Sequence, residues 1–282
     1  MAKEMTTQDK DNKAREDWVK SRPILFNRVG IRKILVSLLI DEPFFGSISK
    51  YVRKRQTKQI PTMAVSIDPR LNITLFYNMD FVNRLTDEEV KGVLKHEFYH
   101  LIFKHLTECN LAKPKEPKKK MIEVETENGE KKQIVVEVDW PRKAWNIGTD
   151  LMINSYLEDE LPDCGLFAGK GDFEGWPKFK SSAFYFARVM KAREKLEQNF
   201  TLDVHEGWGG TGEPAWMKIP GMKGMVETHI KKITKEAVND ARSKGWGGVP
   251  ASMQKEIKSL IENTIDWREV LSRFVETTMR RS

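Results

Sequence analysis

Cysteine is nearly missing from this chain: 282 residues contain two, Cys109 and Cys164. So few exclude a disulfide framework. Neither belongs to a Cys-x-x-Cys pair, which removes the thiolate metal sites built on that spacing. Long hydrophobic runs are missing as well. The longest, around Ile34–Ile40, is far shorter than the roughly 20 apolar residues a membrane-spanning helix needs. The opening MAKEMTTQDK holds no apolar stretch of the secretion-signal kind. The basic run from Lys113 to Lys120 contains no aromatic residue and so offers no platform for stacking bases. Nucleic-acid binding, raised by the net charge of +7, is therefore less favoured than a solvated basic loop. A water-soluble globular protein remains, with 39% hydrophobic and 32% charged residues. Its expected place is the cytoplasm, with no membrane partner.

Residues 1–22 read as a polar tail or loosely attached helix, and 23–282 as one domain. An apolar stretch from Pro23 to Ile40 predicts a buried helix, broken at Asp41-Glu42-Pro43. Thr62–Asp68 and Ile73–Tyr77 read as strands joined by a turn at Pro69–Asn72. A helix start follows at Thr86-Asp87-Glu88-Glu89, where a hydroxyl and a carboxylate three residues apart can each cap the other's backbone N–H. Leu85 and Val90 are placed to staple it. After the lysine-rich run, two alternating segments flank Asn128-Gly129 and predict a β-hairpin inserted at about 112–139. Helices are expected over Lys143–Leu161 and from Ser182 to about Gln198. A glycine-rich loop is expected over 203–225, and two or three helices beyond it. The fold class is α+β, mostly helical, with a small antiparallel sheet and the inserted hairpin.

His96-Glu97-Phe98-Tyr99-His100 lies inside the capped helix. At 3.6 residues per turn, residues four apart stand one above the other, so both imidazoles can reach one ion. Glu97 leans over the same face, where it can take a proton from a water activated by that ion. A catalytic zinc takes three protein ligands and keeps one position open. His105 is near in sequence but sits about 140° away from His100 on a continuous helix. No glycine intervenes, so His105 reads as a packing or surface histidine. Asp150 is the better third ligand. Asn146, Asp150 and Asn154 recur every four residues among Trp145, Ile147 and Ile153, and the need for a third ligand favours a metal role over a solvent-facing stripe. Gly148 would let this helix approach the first. His205, in the glycine-rich loop, is a candidate oxyanion donor or ligand-orienting group, and a plain loop histidine is the alternative. Strand Ile73–Tyr77 is the candidate to pair with an extended substrate.

Several segments together resemble the metallopeptidase domain of bacteria and phages that often precedes a von Willebrand factor A-like domain. They are Pro43-Phe44-Phe45-Gly46, Phe76-Tyr77-Asn78, Val93 through His100 with the later His105, Trp145-Asn146 through Asp150 to Asn154, Val249-Pro250, and Ile265-Asp266-Trp267-Arg268 through Leu271. The likeness covers most of residues 23–275, and the insertion at 112–139 is longer than that family usually has. It implies a zincin-like fold, a Zn²⁺ site of His96, His100 and Asp150, Glu97 as base, and hydrolysis of a protein or peptide substrate. By the same resemblance, a partner ATPase or A-like domain protein is expected. Two other readings differ in class: a non-catalytic metal-stabilised interaction module, which would not need Glu97, and a DNA-associated protease, whose DNA binding would fall steeply with salt.

Overall fold

The computed structural model describes residues 17–108, 118–125, 131–138, 140–193, 196 and 215–262. Helix α1 (Arg32–Asp41) stops where Pro43 follows, and α2 (Pro43–Lys50) starts on that proline. Proline has no N–H to continue α1, while at a first helical position none is required. The helix expected from Pro23 is thus shorter. Residues 23–30 take no regular structure, and Ile24 and Val29 among them are exposed. Pro23 and Gly30 at the two ends disfavour helix there. In the stretch read as a polar tail, Val19 packs into the core and Trp18 lies against Phe81.

Three strands follow: β1 (Val52–Gln56), β2 (Met63–Ile67) and β3 (Ile73–Tyr77). Their order is β1-β3-β2, with β1 parallel and β2 antiparallel to β3. The sheet is therefore mixed rather than antiparallel. The strand that changes this, β1, is built on the basic run Arg53-Lys54-Arg55. Val52 is buried and Arg53 and Arg55 point to solvent, the usual way an edge strand is kept from pairing with another chain.

Short helix α3 (Met79–Val82) leads to α4 (Asp87–Ile102). Both halves of the expected capping box form: Thr86 Oγ1 accepts the Glu89 N–H, and Glu89 Oε2 accepts the Thr86 N–H. Leu85 and Val90 are both fully buried beside it. From Gly92 to Ile102 every residue of α4 is buried, so the helix runs through the core rather than along its surface. Lys104 takes a left-handed conformation, φ 57°, and α5 (His105–Glu108) sets off in a new direction.

Strands β4 (Lys118–Glu125) and β5 (Lys131–Val138) pair antiparallel as a separate sheet. The Asn128-Gly129 turn expected between them lies outside the described residues. Helix α6 (Trp140–Leu157) begins three residues earlier than expected and gives way to a 3-10 turn, Glu158–Glu160. It crosses α4 in the opposite sense, since His96 meets Asn154 while Trp145 meets His105. Helix α7 (Ser182–Lys191) packs on the far side of α6. There Gly148 allows close approach, because a Cβ would stand 2.8 Å from the Phe186 nitrogen. The glycine thus serves the α6–α7 contact and not the α4–α6 contact expected of it. The glycine of close approach on α4 is Gly92, whose Cβ would collide with the Glu160 carbonyl. Helices α8 (Met222–Lys244) and α9 (Ala251–Glu262) complete the described chain. No helix among the described residues is long and apolar enough to cross a membrane.

Candidate metal centre

Helices α4 and α6 bring the three expected ligands together. His96, His100 and Asp150 are all buried, with one donor atom from each lying within 4.8 Å of the others. His96 Nε2 and His100 Nε2 are 2.9 Å apart. Asp150 Oδ1 stands 3.2 Å from His100 Nε2 and 3.7 Å from His96 Nε2. Ligand atoms held at 2.0–2.1 Å around a tetrahedral ion are spaced about 3.3–3.4 Å from each other. The three observed separations bracket that figure, so this donor set fits a metal ion.

Hydrogen bonding decides which imidazole nitrogen faces the centre. Asn154 Nδ2 donates to the Leu166 carbonyl at 2.8 Å, so its oxygen is turned to His96. His96 Nδ1 meets that oxygen at 2.7 Å. An amide oxygen only accepts, so His96 Nδ1 carries the hydrogen and the neutral ring presents its Nε2 lone pair to the centre. The polar stripe on α6 is thereby accounted for at two of its three positions: Asp150 stands against His96 and His100, and Asn154 accepts from His96. Asn146, one turn earlier, is also buried, and its Oδ1 has no hydrogen-bond partner among the described residues.

Glu97 lies in the cleft that exposes this centre, whose floor and walls include His96, Asp150, Trp18, Met63, Phe81 and Leu161. Its Oε2 accepts the Val65 N–H from β2 at 3.0 Å. That bond fixes the carboxylate by one oxygen. Its source also identifies the open edge of the sheet. The Thr62 carbonyl accepts the Asn78 N–H, so alternate residues of β2 bond toward β3 while Met63, Val65 and Ile67 turn their backbone groups outward. Strand β3, expected to pair with a substrate, is the central strand with neighbours on both sides and cannot take another. Strand β2 is the edge that borders the cleft.

His105 is neither a surface residue nor a packing residue alone. It is buried, with Nδ1 3.2 Å from His100 Nδ1. The rotation of about 140° assumed a continuous helix, and the left-handed turn at Lys104 removes that continuity without a glycine. Only the positive φ carries this information, and no residue type marks it. His205 lies outside the described residues. Compared with protein-family models, curated proteins and solved structures, the chain matches none.

Proposed function

We propose that this protein is a zinc-dependent peptidase of zincin-like fold. One observation carries the reading: a buried His96, His100 and Asp150 cluster stands beside a carboxylate, Glu97, that lines the same cleft and is anchored by the Val65 N–H. Two imidazoles and one carboxylate suit zinc and leave a fourth position for reactants. The ion would supply Lewis-acid chemistry, polarising a carbonyl oxygen and bringing the acidity of a water toward neutral pH.

The chain's own groups then divide the remaining work. Outward backbone groups of β2, those of Met63 and Ile67 and the Val65 carbonyl, offer an extended peptide a strand to pair with, which presents the scissile bond to the cleft. Trp18, Met63, Phe81, Val93, Leu161 and Pro162 give the cleft mostly apolar walls, suited to an apolar side chain beside that bond. Glu97 takes the proton of the attacking water as its oxygen bonds to the carbonyl carbon. It then delivers that proton to the amine nitrogen as the C–N bond breaks.

Bound zinc and cleavage of an unstructured protein, measured for the native chain, Glu97→Gln and Asp150→Asn, test the reading. Glu97→Gln should keep zinc and lose about 10²–10⁴-fold in cleavage. Asp150→Asn should lose the metal. Undiminished cleavage by Glu97→Gln would sink the mechanism, and a native chain that holds zinc without cleaving would leave the metal-stabilised interaction module in its place.

A further inference from the structure

His100 is in contact with a second histidine on the side away from Asp150. Its Nδ1 stands 3.2 Å from His105 Nδ1, and His105 Nε2 stands 3.1 Å from the hydroxyl of Ser182 on α7. Aromatic rings pack around the His105 imidazole: Phe103 stacks on it, and Trp145 and His100 meet it edge-on. Its own carbonyl accepts the Trp145 indole N–H at 3.2 Å. A ring so enclosed must satisfy both nitrogens locally, and these two bonds do so. Ser182 is available for the purpose because its neighbour Ser181 caps α7, accepting the Phe184 N–H.

A satisfied core histidine would need nothing more. Here one of the two bonds falls on the ring of a metal ligand, and that fixes who donates. For His100 Nε2 to offer a lone pair to the centre, the neutral ring must carry its hydrogen on Nδ1. His105 Nδ1 must then be bare, and a neutral His105 carries its own hydrogen on Nε2, directed at the Ser182 oxygen. His96 is held in a parallel manner, with Asn154 accepting from Nδ1 and Leu166 fixing Asn154.

We propose that His105 is a positioning residue for the metal centre: it accepts the His100 Nδ1–H and, held by Ser182, keeps the His100 lone pair aimed at the ion. The proposal rests on the reading of His96, His100 and Asp150 as a metal centre. It extends the centre from two helices to four and gives the left-handed turn at Lys104 a purpose.

The test is Zn²⁺ and Co²⁺ affinity, by competition with a chromophoric chelator, for the native chain, His105→Asn, His105→Leu and Ser182→Ala. Loss of such a ligand-holding partner weakens metal binding about 10–100-fold, and His105→Leu should fall in that range. His105→Asn, whose Oδ1 stands near the lost Nδ1, should restore most of the affinity and the native visible spectrum of the Co²⁺ form. Ser182→Ala should lie between. If His105→Leu does not fold, long-range ¹H–¹⁵N spectra of the zinc-loaded native protein decide instead: His100 should be protonated on Nδ1 and His105 on Nε2 only. A His105 protonated on Nδ1 overturns the proposal, as does native affinity and spectrum in His105→Leu. Those outcomes leave the metal centre standing. A native chain that binds neither ion removes the metal centre and this role together.

Discussion

Glu97 is anchored by a backbone amide of the sheet, whereas the two histidines are each held by a side chain that is itself held. At the scale of single residues, burial also governs groups far from the centre. Lys54 on β1 donates to the Ser49 carbonyl, yet burial lowers its pKa from the ordinary 10.5 to about 8. The unfolded chain therefore binds more protons than the folded one between those values, and stability contributed by this group rises with pH across that window. Below pH 8 the cost is fully present. Lys54→Met should be more stable than the native chain at pH 7, by about 1 kcal/mol once solvent screening is allowed for. The difference should shrink as pH approaches 10, as urea unfolding of both proteins will show. Among the site residues, His96, Glu97 and His100 are legible because their spacing alone sets them on one helical face. His105 was not, since the turn that redirects it is a backbone conformation at Lys104 with no residue type to announce it.

Helix α4 shows which element properties local sequence can carry. Its start is written in Thr86 and Glu89, and the capping bonds form as the pattern requires. Its path is not written there. Gly92 meets the backbone of the Glu158–Glu160 turn so closely that no Cβ fits. Alanine is the better helix former by about 1 kcal/mol, while forced overpacking costs about 1–3 kcal/mol. Because backbone is what the Cβ would strike, the clash should win: Gly92→Ala should lose more than about 1 kcal/mol in urea unfolding. Thr86→Ala, which removes one half of the cap, should lose about 1 kcal/mol. A stabilised Gly92→Ala would show that the 158–160 turn can move away. Strands β2 and β3 were both readable from alternation, but which of them forms the edge was not. That depends on β1, whose arginines and lysine resemble a loop.

Over the whole molecule, helix α4 is braced from behind as well as from the cleft. Lys95, next to His96, is buried and pairs with Glu42 at 3.0 Å and with Glu160. Glu42 also accepts the Gly248 N–H at 2.6 Å, so one cation ties α4 to the α1–α2 junction, to the turn after α6 and to the segment between α8 and α9. Asp240 of α8 joins the same assembly by accepting from Ser47 and Lys50 of α2. An ion shared by α4 and α6 would add to this bracing by mass action, about 4 kcal/mol when its free concentration is 1,000-fold above Kd. For a chain of this size that corresponds to a rise of roughly 10 °C in Tm. Calorimetry with zinc and then with excess chelator should show this loss in the native chain and no change in Asp150→Asn.

The sequence alone determined what depends on neighbours along the chain: the helix that carries His96, Glu97 and His100, its cap, the break at Pro43 and the polar repeat that marks Asp150. Such features follow from the 3.6-residue turn and from which backbone groups a nearby side chain can reach. Tertiary structure decided what depends on separate elements meeting. It set Asp150 3.2 Å from His100 across some fifty residues of chain and made β2 rather than β3 the open edge. It also folded His105 back against its own neighbour. These contacts arise from packing between surfaces distant in sequence, and no local pattern encodes which surfaces those are.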